Sequence, residues 1–129
     1  VFMYDMIDAF GGAEKFYKNF YINSVCPLGF TIKGDNSKEV NYNYYDKPEL
    51  QNAVLDFIKW NIKNQIDLGC DDKVCYCLGT GKNFKFLNDL NSTEKYFKKV
   101  IPLEHPRYIM QYKLKKKEEY IQKYLELLN

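Results

Sequence analysis

The chain has 129 residues, with 19 basic and 17 acidic side chains, a formal net charge of +2 and 46% hydrophobic residues. At this size roughly two thirds of the unfolded surface can be buried in one domain without disulfides or metal, and the composition excludes disorder, collagen-like sequence and a coiled coil. No apolar run approaches the roughly 20 residues that span a bilayer and no signal-peptide pattern opens the chain, so an intracellular protein without membrane contact is expected.

The chain opens on Val1-Phe2-Met3-Tyr4-Asp5-Met6-Ile7, an apolar stretch without a capping residue or an initiator Met at position 1. It reads as the inside of a helix, and the expectation is that the sequence is the later part of a longer protein. Residues 2–19 are predicted to be helical in two pieces broken at Gly11-Gly12. Phe20 to Val25 is a predicted strand, because Phe, Tyr, Ile and Val favour pleated backbone and Pro27 ends it. Lys33 to Lys47 reads as a polar loop that holds Tyr42, Tyr44 and Tyr45. A long amphipathic helix follows from Pro48, with Leu50, Val54, Phe57, Ile58, Ile62 and Ile66 on one stripe, and stops at Gly69. Val74 to Leu78 is a second strand, and Gly79-Thr80-Gly81 turns it into a helix carrying Phe84, Phe86, Leu87 and Leu90. Val100 to Leu103 is a third strand. After a loop from Glu104 to Tyr112, a final helix presents Tyr120, Ile121, Tyr124, Leu125 and Leu128.

Strands separated by helices in this order predict an α/β fold, a three-layer α/β/α arrangement around a short parallel sheet. Ligands of such sheets bind at the carboxyl ends of the strands, which directs attention to 23–30, 79–82 and 105–112. The charge is uneven along the chain: residues 1–94 carry −3, residues 95–117 carry +7 and residues 118–129 carry −2. The basic block is interleaved with Tyr96, Tyr108 and Tyr112 and is expected to lie over the loop after the third strand. Lysines there can displace counterions from phosphates while aromatics stack on bases; the plain alternative is a solvated, lysine-rich helix start.

Four candidate features remain. Cys70, Cys75 and Cys77 lack the paired spacing of a zinc or iron–sulfur site and the chain has one His, so no metal is expected and the thiols read as buried or half-buried. Gly79-Thr80-Gly81-Lys82 fails the phosphate-loop and dinucleotide patterns, but backbone N–H groups at a helix start plus Lys82 can hold a single phosphate; otherwise it is a tight turn. His105 sits just beyond a strand beside the basic loop, where it can donate a hydrogen bond to a developing oxyanion or serve structure alone. Asn23 offers a donor and an acceptor together, which suits reading the edge of a base; otherwise it caps a turn.

Together these segments resemble the uracil-DNA glycosylase superfamily, most closely its single-strand-selective monofunctional (SMUG-type) branch and the bacterial proteins similar to it, over nearly the whole chain. Tyr21-Ile22-Asn23-Ser24-Val25-Cys26-Pro27-Leu28 resembles the motif whose Asn reads the uracil edge. Alignment on Cys-Pro-Leu puts Ser24 at that position, and alignment on the Asn-small-Val pattern puts Asn23 there. Leu78-Gly79-Thr80-Gly81-Lys82 resembles the Val-Gly-x-Gly-Arg turn. Leu103-Glu104-His105-Pro106-Arg107 resembles the closing His-Pro-Ser-Pro motif without its second Ser-Pro.

The resemblance implies hydrolysis of the N-glycosidic bond of uracil or a related damaged base flipped out of DNA, without a cofactor and by a monomer. It implies His105 as the group that stabilises the leaving base, Asn23 or Ser24 as base reader, and Lys82, Arg107, Lys113, Lys115 and Lys116 as holders of the backbone. Tyr108, Ile109 and Met110 fall where the family carries its wedge into the duplex. A Gly-x-Asn-Pro-Gly-type loop, which supplies the water-orienting residue, has no counterpart in the sequence. Its strand is central in the family's sheet, so one central strand is expected to be missing from this chain, and the 129 residues alone are expected to be inactive and compromised in folding. A non-catalytic binder of single-stranded nucleic acid is the alternative, and a nucleotide-cofactor protein built on Gly79 to Lys82 is a third reading.

Overall fold

A computed structural model describes residues 1–26, 28, 30–33 and 39–128. The chain begins with two short helices, α1 (Phe2–Phe10) and α2 (Ala13–Asn19). The break between them is glycine chemistry: Gly11 and Gly12 have φ of 131° and 99°, and a Cβ on Gly11 would meet the Lys15 side chain at 2.6 Å.

The next segment departs from the prediction. Phe20 is extended, at φ −133° and ψ 148°, but residues 20–24 join no ladder and 21–24 are exposed. Residues with strand propensity still need a neighbouring strand to take up their N–H and C=O groups, and among the described residues none lies alongside. Conversely, the predicted loop from Lys33 to Lys47 contains a strand. Backbone β1 (Phe30–Lys33) and β2 (Glu39–Tyr42) pair antiparallel in the register Phe30↔Tyr42 to Lys33↔Glu39. The polar composition hid this hairpin, although Val40 and Tyr42 alternate with Glu39 and Asn41 at the period of a strand. Residues 34–38 and Pro27 lie outside the described residues.

Helix α3 (Pro48–Asp67) starts on proline as predicted and buries Val54, Ile58, Asn61 and Ile62. Phe57 does not join that stripe; its ring lies 6.0 Å from that of Trp60, which is 61% exposed. Then come β3 (Val74–Leu78), α4 (Lys82–Glu94) and β4 (Lys99–Leu103). The two strands pair in parallel, Val74↔Lys99 through Leu78↔Leu103, with α4 as the crossover. Pro102 is tolerated within β4, which among the described residues pairs with β3 alone and so lies at an edge. The predicted final loop is largely helical: α5 (Pro106–Tyr112) is followed by a 3-10 turn (Leu114–Lys116) and α6 (Lys117–Leu128).

Strand alternation sorts the helices into two layers. Tyr76 and Leu78 of β3, with Leu103 of β4, face a core of Phe2, Met6, Ile7, Phe16, Ile109, Ile121 and Tyr124 from α1, α2, α5 and α6. Cys75 and Cys77 face the opposite core of Tyr44, Val54, Ile58, Ile62 and Leu87 from α3, α4 and the loop before α3. The fold is therefore three-layered α/β/α with a short parallel sheet, and its site-bearing edge is where Leu78 and Leu103 end. Each fully buried large side chain here, such as Ile58, Leu103 or Ile109, contributes about 1.5–3 kcal/mol of hydrophobic stabilisation.

Candidate functional site

At the carboxyl end of β3 the chain turns at Gly79, whose φ of 139° suits glycine, and the Gly79 N–H donates to the Leu103 carbonyl at 2.7 Å. This bond ties the Gly79–Gly81 turn to the end of β4, two residues before His105. Helix α4 starts immediately afterwards, with no side chain capping its first N–H groups and with Lys82 exposed. Its second residue, Asn83, accepts from the buried Tyr44 hydroxyl through Oδ1 and donates through Nδ2 to Cys77 Sγ at 3.6 Å. Burial holds the Tyr44 hydroxyl well above the usual phenol range. Burial also pushes Cys75 and Cys77 up to about 11, so both remain neutral thiols without nucleophilic character. Cys26 and Cys70 are half-buried and all four thiols are free.

His105 is the N-cap of α5, with Pro106 in the first turn. Its Nδ1 accepts from the Arg107 backbone N–H at 3.0 Å, so the neutral ring carries its proton on Nε2 and presents a donor there. Partial loss of hydration, and then the Arg107 charge, hold its pKa below the usual histidine value. The preceding residue is gripped by α6: Lys123 pairs with Glu104 Oε1 at 2.5 Å and the Tyr124 hydroxyl donates to the Glu104 carbonyl at 2.5 Å. Burial alone would raise the Glu104 pKa, but the hydrogen bond and charge of Lys123 outweigh it and leave the group below the usual carboxylate range. Oε2 is buried and meets no donor among the described residues.

The other predicted site residues divide. Asn23 and Ser24 lie exposed on the extended segment, tied to α3 by a bond from Asn61 Nδ2 to the Ser24 carbonyl at 3.3 Å. No hydrogen bond joins either to His105 among the described residues. Arg107 is exposed, and Tyr108 is partly exposed, tilted at 44° against Tyr112 with ring centroids 5.5 Å apart. Ile109 is fully buried, with an exposure of 0%, because α5 turns it into the core shared with α1 and α6. Met110 is half-buried against the same core. Lys113 is half-buried, whereas Lys115 and Lys116 are exposed.

The basic block does not lie wholly over this loop either. Lys99 opens β4, about 13 Å from Leu103 at roughly 3.3 Å per residue and towards the opposite end of the sheet, and Lys98 immediately precedes it. Lys117 is paired with Asp5 of α1. Sequence reasoning missed Lys123 and Tyr124. Tyr124 falls on the apolar stripe of α6 and reads as core, and nothing local announces that its hydroxyl meets a carbonyl 20 residues earlier.

A family model described as the uracil DNA glycosylase superfamily matches residues 1–129. The crystal structure of wild-type SMUG2 from Pedobacter heparinus matches with a TM-score of 0.93 and 57% sequence identity, over 98% of this chain and 54% of that one. The chain thus spans about half the length of that relative. No curated protein sequence matches it.

Proposed function

The chain belongs to the uracil DNA glycosylase superfamily, and from that premise we propose that it forms part of a DNA-repair glycosylase acting on uracil or a related base flipped out of DNA. The observation that carries this reading is His105. It stands at the carboxyl end of the sheet beside the Gly79–Lys82 turn, with Nδ1 occupied by a backbone N–H and Nε2–H left as donor.

In the reaction, a water oxygen bonds to the sugar carbon while the N-glycosidic bond breaks. The bonding pair leaves with the base, which departs as an anion, and the water proton passes to solvent. A neutral imidazole suits this step, because its Nε2–H donates to the base oxygen where negative charge grows without first protonating it. Asn23, or Ser24 in its place, reads the edge of the flipped base. Lys82, Arg107, Lys113, Lys115 and Lys116 hold phosphates, and Tyr108 stacks against the opened strand. Orientation of the attacking water is assigned to none of these residues. The protein works without a cofactor, as an intracellular monomer. A single-strand binder that kept the fold is the second reading, favoured by the openness of Asn23 and Ser24.

Single-stranded and duplex oligonucleotides containing uracil decide between them. The full-length protein of which this chain forms part is expected to leave alkali-labile sites, and His105→Asn should lower the rate by about 10²–10³-fold, as for loss of one oxyanion donor, with DNA affinity nearly unchanged. Binding without any alkali-labile product on uracil or damaged-base substrates would leave only the second reading.

A further inference from the structure

Three successive carbonyls around His105 are each claimed by a different element. The Leu103 oxygen accepts from the Gly79 N–H at 2.7 Å, the Glu104 oxygen from the Tyr124 hydroxyl at 2.5 Å, and the His105 oxygen from the Ile109 N–H at 3.1 Å. The first bond belongs to the turn after β3 and the third to α5. The middle one comes from a side chain of α6.

The Glu104 carbonyl and the His105 N–H belong to one peptide group, whose six atoms lie in a plane. Pinning its oxygen sets the rotation of that plane, and with it the direction in which the His105 side chain leaves the strand. The bond from the Arg107 N–H to Nδ1 then sets the rotation of the ring. Tyr124 is a rigid anchor for the first pin, being fully buried with its ring edge-on to Phe2 at a centroid distance of 4.9 Å. Its neighbour Lys123 holds the Glu104 carboxylate, so α6 grips both the backbone and the side chain of the residue before His105.

We infer that Tyr124 is a positioning residue for His105: its hydroxyl, acting through the Glu104–His105 peptide plane, aims the Nε2–H at the leaving base. The inference rests on the role proposed for His105, so its test includes a readout that needs no turnover. His105 is the single histidine of the 129 residues. In the full-length protein labelled with ¹⁵N-histidine, long-range ¹H–¹⁵N spectra report which ring nitrogen carries the proton, with His105→Asn identifying the signals.

The wild type is expected to show one tautomer, protonated at Nε2. Tyr124→Phe keeps the ring in the core and should give a mixture of tautomers, together with a kcat about tenfold lower at a KM within about threefold of wild type, a loss inside the ~10²-fold range of small misplacements. In the His105→Asn background the same change should lower the residual rate by less than about twofold, since its effect acts through the missing ring. A merely structural role would leave the tautomer alone and cost the same factor in both backgrounds, and either result overturns the inference.

Should Tyr124→Phe fail to fold, Lys123→Gln on the exposed side of α6 loosens the same residue. It should shift the tautomer populations in the same direction, and unchanged populations would overturn the inference. If the wild type releases no base, the proposed function falls, and the tautomer of Tyr124→Phe still decides the positioning role.

Discussion

At His105, protonation of Nδ1 would put two donors face to face, because the Arg107 N–H already points at that nitrogen. Together with partial dehydration and the Arg107 charge, this favours the neutral ring in the folded state. The sign follows from linkage. The folded pKa lies below the unfolded value of about 6.5, so the unfolded chain takes up more proton as pH falls through that interval and the contribution of the ring to stability declines there. Above about pH 6.5 that contribution is constant. Titration of the His105 ring signals is expected to give a midpoint below about 6.5, with the acid limb of the cleavage rate at the same position. A midpoint at or above that value would show that the backbone donor does not control the ring.

Among the elements, the return from α4 to β4 depends on one side chain. Asn91 Oδ1 accepts from the Phe97 N–H at 2.8 Å while Nδ2 donates to the Phe97 carbonyl at 2.9 Å, which imitates one rung of a ladder where no strand exists. Asn91→Ala leaves both groups partly buried without partners and should cost about 1–3 kcal/mol, measurable as a lowered urea midpoint. Elements built on local pattern were legible before the structure: α3 from its three-and-four spacing, β3 and β4 from their β-branched and aromatic runs, the α1–α2 break from its glycines. What escaped depends on partners distant in the chain. Phe20–Val25 has a strand's composition and, among the described residues, no strand beside it, while β2 has a loop's composition and β1 to pair with. The site divides in the same way. His105 and the Gly79–Lys82 turn are announced by motif and position, whereas the α6 residues that hold Glu104 come from 19 and 20 positions further on.

Across the whole molecule, folding redistributes the +7 block that is continuous in sequence. Arg107, Lys115 and Lys116 remain exposed on the His105 side, Lys117 is spent on Asp5, and Lys98 and Lys99 are carried towards the other end of the sheet. Of these three sets, the first is the one on the side where the proposed function puts a strand. Replacing Lys115 and Lys116 together by Gln should weaken single-strand binding and make its log–log salt dependence shallower by about 1.4, at roughly 0.7 per lost phosphate contact. The Lys98→Gln, Lys99→Gln pair should leave the slope unchanged, and equal effects of the two pairs would mean that DNA is not confined to the His105 side. The grip of α6 on Glu104 also sets an order in time. Tyr124 follows Glu104 by 20 residues, about 1–4 s of synthesis at ~5–20 residues per second. During that interval a nascent chain carries His105 without the α6 hydroxyl that pins the Glu104 carbonyl, so this contact forms only after α6 has been made and docked.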